Sequence, residues 1–170
     1  FDADLDGHLD LLVANGHIDE SISRARHEVT YAQSPHLFLH EGNGSFRDVA
    51  AQVGSGFATA RVARGAAYGD IDNDGDLDVL ITTNNGPAFL YRNDQTAGNK
   101  WVRLRLVGTK SNRDGIGAVV KFEAGDLAGS RMVKSGSSFL SQSELPVTIG
   151  LAHRDAIERL TVLWPSGRSE

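Results

Sequence analysis

Apolar residues along this chain come in short runs rich in β-formers, and in its last third they alternate with charged positions. Leu11-Leu12-Val13-Ala14-Asn15 and Val79-Leu80-Ile81-Thr82-Thr83 each read as one short strand. Trp101-Val102-Arg103-Leu104-Arg105-Leu106-Val107 alternates apolar and basic positions, the pattern of a half-buried strand. Residues 118–122 and 130–133 predict two more strands. Glu158-Arg159-Leu160-Thr161-Val162-Leu163-Trp164 predicts the last, closed by the turn Pro165-Ser166-Gly167. Residues 47–63 are expected to hold one helical turn. No run of 18 apolar residues is present, so nothing predicts a membrane-spanning helix. The pattern is that of an all-β chain with two units, residues 1–98 and residues 99–170, the second expected to be sandwich-like.

The turns before the first two strands are acidic and alike. Asp2-Ala3-Asp4-Leu5-Asp6-Gly7-His8-Leu9-Asp10 and Asp70-Ile71-Asp72-Asn73-Asp74-Gly75-Asp76-Leu77-Asp78 both read D-x-D-x-D-G-x-L-D, 68 residues apart. Alternating carboxylates, a glycine for a sharp turn and a closing Asp are what a hard cation needs from one loop, and Ca²⁺ takes about 6–8 oxygens. Asp2, Asp4, Asp6 and Asp10, with Asp70, Asp72, Asp74 and Asp78, are the expected side-chain ligands. His8 and Asp76 would each offer a backbone carbonyl, and a bidentate Asp10 or Asp78 would bring the protein oxygens to six. Two carboxylates about 4 Å apart repel by about 4 kcal/mol at an effective dielectric near 20, and a divalent cation reverses that sign. Two calcium sites are therefore expected, with binding contributing to folding.

An EF-hand needs Glu at position 12 and flanking helices. Those positions are Val13 and Ile81, and the flanks are strands, so these are strand-associated loops.

Both loops open a longer repeat. Repeat one adds a polar, mixed-charge insertion over residues 18–34, expected to be an exposed loop or short helix. It resumes at Pro35-His36-Leu37-Phe38-Leu39, which aligns with Pro87-Ala88-Phe89-Leu90 when Phe38 is set on Phe89, an offset of 51. Each repeat then reads loop, strand, turn, strand, turn, the grammar of a β-propeller blade. Two blades cannot close a ring of about 4–8, so a longer parent protein is expected, with any signal sequence upstream.

Composition refines this picture. The net charge is −5, yet nine of the 22 acidic residues lie in the two loops. The other 13 face 17 Lys and Arg, so the rest of the chain is +4 and the acidity is local. No basic cluster stands out, so nucleic acid is not an expected partner. With no cysteine there is no disulfide, Cys-ligated zinc or thiol catalysis.

At these residues the chain resembles known families. Phe1-Asp2-Ala3-Asp4-Leu5-Asp6-Gly7 and the segment from Tyr68-Gly69 through Asp78 resemble FG-GAP/VCBS repeats, which form blades of integrin-type β-propellers. Asn112-Arg113-Asp114-Gly115-Ile116-Gly117-Ala118, Ser135-Gly136-Ser137-Ser138-Phe139-Leu140-Ser141-Gln142-Ser143, Ile149-Gly150-Leu151 and Leu163-Trp164-Pro165-Ser166-Gly167 resemble the ASPIC/UnbV domain. The combined order is similar to that of bacterial relatives of cartilage acidic protein. The resemblance implies a secreted or cell-surface calcium-binding protein with a propeller and a C-terminal β domain. Departures are Ile149-Gly150-Leu151-Ala152, where the family has Phe-Gly-Leu-Gly, and an end soon after the Trp-Pro-Ser-Gly turn.

Other chemistry is thin. His27-Glu28 and His40-Glu41 lack the second His of a zinc protease motif. No G-x-S-x-G elbow exists, and Ser137, His153 and Asp155 form a triad only on paper. Asn43-Gly44-Ser45 is expected to be a plain turn. Trp101 and Trp164 are expected to pack in cores, or alternatively to stack on sugars. The expectation is a non-enzymatic, calcium-binding extracellular binding or scaffold module, its protein or glycan ligand open. The alternatives are a carbohydrate-binding module of a larger secreted protein, or a self-assembling structural protein whose sheet edges pair with other chains.

Overall fold

The computed structural model describes residues 1–170, and the chain is all-β apart from one four-residue helix. Repeat one is an antiparallel meander of β1 (Leu11–Val13), β2 (His36–His40) and β3 (Phe46–Asp48). Its insertion carries α1 (Ile22–Ala25), which buries no residue. Repeat two is a second meander of β4 (Ala63–Gly69), β5 (Asp78–Thr83) and β6 (Phe89–Tyr91). No helix is long and apolar enough to cross a membrane.

The repeats complete each other's pattern. β5 has a hydrogen-bonded strand on both sides of it, with Gly69 opposite Asp78. In repeat one, Phe1 takes the place of Gly69, because the amide of Asp10 donates to the Phe1 carbonyl at 2.7 Å. Each repeat thus forms a three-stranded sheet, and the two differ in whether a strand precedes the acidic loop, as β4 does in repeat two.

Register corrects the internal alignment. Leu11 faces Phe38, whereas Val79 faces Tyr91. Equivalent positions on the second strands are thus 53 apart, two residues from the expected 51. A slip of two keeps side chains on the same face, so hydrophobicity alone could not detect it. The link over 47–63 holds the end of β3, the start of β4 and a series of turns, one of them closed by the Ala58 amide on the Gly54 carbonyl at 3.4 Å with no helix continuing from it.

The C-terminal part holds β7 (Lys100–Leu104), β8 (Val119–Ala124), β9 (Leu127–Met132), β10 (Val147–Ala152) and β11 (Arg159–Leu163). They form a two-stranded sheet, β10-β7, and a three-stranded sheet, β11-β8-β9. β8 alternates cleanly, burying Val120, Phe122 and Ala124. Along β10, Val147, Thr148, Ile149, Gly150 and Leu151 are all buried, so this strand is covered on both faces. The larger core lies here, around Phe122, Ile149, Leu151 and Val162. A smaller one, around Phe57, Val79 and Ile81, lies between the two repeats.

The cores differ in what truncation costs. Phe122→Ala is expected to lower unfolding free energy by about 3–5 kcal/mol, while Leu90→Ala, at a side chain 56% exposed, should cost less than about 1 kcal/mol. Urea denaturation of both variants checks the contrast.

Candidate metal centres

Both loops fold into the same hydrogen-bonded cage. Asp10, at position 9, accepts the Ala3 amide on Oδ2 at 2.7 Å and the His40 amide on Oδ1 at 2.8 Å. Asp78 repeats this with the amides of Ile71 at 2.9 Å and Asn93 at 2.8 Å. The closing carboxylate ties the start of the loop to the next strand. Asp2 accepts the Gly7 amide on Oδ2 at 3.1 Å, and Asp70 the Gly75 amide at 3.2 Å.

Backbone conformation matches as well. Gly7 and Gly75 sit at φ 97° and 98°, in the left-handed half of the map that glycine enters freely. Position 4 is also left-handed, with Leu5 at φ 58° and Asn73 at φ 63°. Asn tolerates this region, but for a bulky residue such as Leu5 it stores strain, and such strain clusters at functional sites. Leu5 is fully buried, which holds it there.

One carboxylate oxygen from each of Asp2, Asp4 and Asp10 falls within a 4.8 Å group, and Asp70, Asp72 and Asp78 do the same. These are positions 1, 3 and 9 of each loop. Asp6 and Asp74, at position 5, stand outside these groups. Asp6 Oδ1 accepts the His8 amide at 2.7 Å, and Asp74 Oδ1 the Asp76 amide at 3.0 Å. The side chains of position 7 turn away, as a backbone-carbonyl donor would require. The His8 ring lies 5.1 Å from that of His40, and Asp76 Oδ2 accepts the Gln95 amide at 2.8 Å.

Among the buried side-chain atoms without a hydrogen-bond partner, two belong to the loop carboxylates: Asp2 Oδ1 and Asp70 Oδ1. Both side chains are 1% exposed. An orphaned buried carboxylate oxygen is costly, and its recurrence at the same position of two loops marks these atoms as candidate ligand oxygens. The donor set is all oxygen, which suits a hard divalent cation.

Crowding and burial raise the proton affinity of these acids. Asp2 is pushed up to about 7, chiefly by burial, with Asp6 and Asp10 adding to the rise and the Arg131 charge and Gly150 amide opposing it. Asp4 is pushed up to about 6 by burial and then by Asp6 and Asp10. Asp10 is raised by burial, and Asp72 by desolvation and then by Asp74 and Asp78. Without a cation the cage is held together against its own charge.

The C-terminal strands supply contacts that sequence reasoning missed. Arg131, on β9, donates to the Gly7 carbonyl at 2.9 Å and lies 3.7 Å from Asp2 Oδ2. Gly150, on β10, donates its amide to the same oxygen at 3.0 Å. At loop two, Arg103 on β7 lies 3.1 Å from Asp70 Oδ2 and also pairs with Glu144. Nothing local marks these residues, since Arg103 reads as the outward position of an alternating strand. Trp101 departs from its expected core role: it is 38% exposed, and a Cβ at Gly75 would come within 1.9 Å of its indole. Of the paper triad, Asp155 is engaged by Lys100.

The raised acids fix a pH dependence. The native state keeps protons on Asp2 and Asp4 that the unfolded chain releases near 3.8. In chelator, stability should therefore fall as pH rises from about 4 through 7, with Asp2 alone contributing on the order of 4 kcal/mol. Calcium competes with those protons, so its affinity should rise over the same window, on the order of tenfold or more between pH 5.5 and 7.5. Urea titrations across pH in chelator, beside calorimetric calcium titrations, check both signs.

Comparison with known families agrees with this layout. A family model for an FG-GAP-like repeat matches residues 2–81, which include both loops. A model for ASPIC and UnbV matches residues 108–170. No curated protein matches the chain. The chain carries an FG-GAP-like repeat region followed by an ASPIC and UnbV domain, in that order.

Proposed function

We propose that the protein is a calcium-stabilised extracellular or cell-surface module whose two loops each hold one structural Ca²⁺. The observation that carries this reading is the buried Asp2 Oδ1 with its counterpart Asp70 Oδ1, two unpartnered oxygens at the same position of two identical cages. Asp2, Asp4 and Asp10 would hold the first ion, and Asp70, Asp72 and Asp78 the second, with the carbonyls of His8 and Asp76 and water completing each shell. Asp6 and Asp74 would join by turning from the amides they now accept, or act through an intervening water.

Calcium suits these cages better than smaller or softer ions. Mg²⁺ demands near-ideal octahedral geometry and sheds water reluctantly, and zinc favours nitrogen and sulfur donors that are absent from both sets. The ion's role is to cancel carboxylate repulsion and fix the turn ahead of β1 and β5, so binding free energy becomes folding free energy. Loops of extracellular modules bind calcium at about 10⁻⁴–10⁻³ M, an affinity suited to surroundings where calcium is abundant, which supports the extracellular reading. A binding or scaffold role is the reading that turn-pinning ions support best.

Thermal unfolding in 2 mM CaCl₂, in chelator and in MgCl₂ tests the reading; that concentration lies roughly above the expected dissociation constant. A rise of several degrees specific to Ca²⁺ is expected. Asp72 is exposed, so Asp72→Ala should leave metal-free stability nearly unchanged while removing about half of the calcium-dependent rise. A full rise in Asp72→Ala would refute the ligand assignment at loop two.

A further inference from the structure

The two cation loops are also the seat of the C-terminal β unit. The Ala152 amide donates to the Leu5 carbonyl at 2.9 Å, and the Gly150 amide to Asp2 Oδ2 at 3.0 Å. β10 therefore lies along loop one as an added hydrogen-bonded edge. Arg131 closes the other side on the Gly7 carbonyl. At loop two, Trp101 covers Gly75 and Arg103 holds Asp70. Each loop is thus met by one arginine on the oxygen of its first Asp and by one close packing contact on its position-6 glycine. Leu127 plays the part at Gly7 that Trp101 plays at Gly75.

This arrangement divides each first carboxylate. Oδ2 of Asp2 and of Asp70 is committed to donors from the C-terminal unit and to the loop's own glycine amide. Oδ1 is buried and has no hydrogen-bond partner. A carboxylate with one oxygen anchored is set for a single-oxygen bond to a cation by the other. The left-handed Leu5 contributes as well, since the carbonyl that receives the Ala152 amide belongs to that strained residue.

We infer that Arg131, Gly150 and Arg103 are positioning residues for the cation sites, so that cation occupancy and seating of the C-terminal unit are thermodynamically linked. The inference rests on the calcium reading above and adds a regulation to it: residues more than 100 positions from loop one along the chain set that loop's affinity, and the ion in turn holds those residues down. The link is steric as well as electrostatic. A Cβ at Gly150 would stand 2.3 Å from the Leu5 carbonyl carbon and 2.5 Å from Asp2 Oδ2, so an alanine there forces β10 and loop one apart.

The test uses the whole chain and separates binding from linkage. Calorimetry with CaCl₂ reads occupancy, and amide hydrogen exchange over residues 147–152 reads seating. In the wild type, exchange at Gly150 and Ala152 is expected to slow as calcium saturates, by up to about 100-fold at a hundred times the dissociation constant. In Gly150→Ala, one of the two calcium sites should weaken at least tenfold while the other keeps its affinity. Calcium that binds with full heat and leaves exchange over 147–152 unchanged would overturn the linkage and leave the calcium reading standing, whether or not Gly150→Ala folds. Two wild-type sites in a folded Gly150→Ala would overturn it too. No heat at either loop would remove the calcium reading and the linkage with it.

Discussion

The structure turns on the repulsion among carboxylates gathered in two nine-residue loops. Each loop must curl tightly enough to start a strand, and curling brings Asp at positions 1, 3 and 9 within 4.8 Å of one another. Backbone amides relieve part of that charge: every oxygen of Asp10 and Asp78 accepts one. Arginines from distant strands relieve another part, at Asp2 and Asp70. What is left over falls on the buried Oδ1 atoms of Asp2 and Asp70, which no hydrogen-bond donor reaches, and it is this remainder that the proposed cation would neutralise.

Seen this way, the two halves of the chain are not strung side by side. The repeat region has a small core of five buried residues, whereas the C-terminal strands enclose one of ten. The better-packed half meets the charged half through the loops themselves. The segment 141–144 extends the contact, with the hydroxyls of Ser141 and Ser143 accepting amides of Ala66 and Tyr68 along the open edge of β4. That edge would otherwise offer unpaired amides to another chain. Covering it with side-chain oxygens satisfies the donors without creating a new strand edge.

The two repeats also show how one local design tolerates different neighbours. Position 4 is left-handed in both, filled by a buried Leu5 in one and an exposed Asn73 in the other. Asn73 meets the conformation through its own chemistry. Leu5 is buried and its carbonyl accepts the Ala152 amide of β10, so the C-terminal unit helps hold the strained residue in place.

Sequence by itself determined the all-β class, the order of the two regions, both loops and their strand context, because each is written in residues close along the chain. The stretches 118–122, 11–15 and 79–83 fall on β8, β1 and β5, with ends that differ by up to two residues. β4 went unread because Ala63–Gly69 is small-residue sequence with weak strand preference, and β10 because a strand buried on both faces does not alternate. The loop residues Asp2, Asp4, Asp10, Asp70, Asp72 and Asp78 were legible as one set, while the turning of Asp6 and Asp74 onto nearby amides was not. Only the tertiary structure decided that Arg103, Arg131 and Gly150 reach those loops. Contacts across 33 to 148 residues leave no period or spacing in a single sequence; they exist because two sheets pack there, and packing is a property of the folded chain.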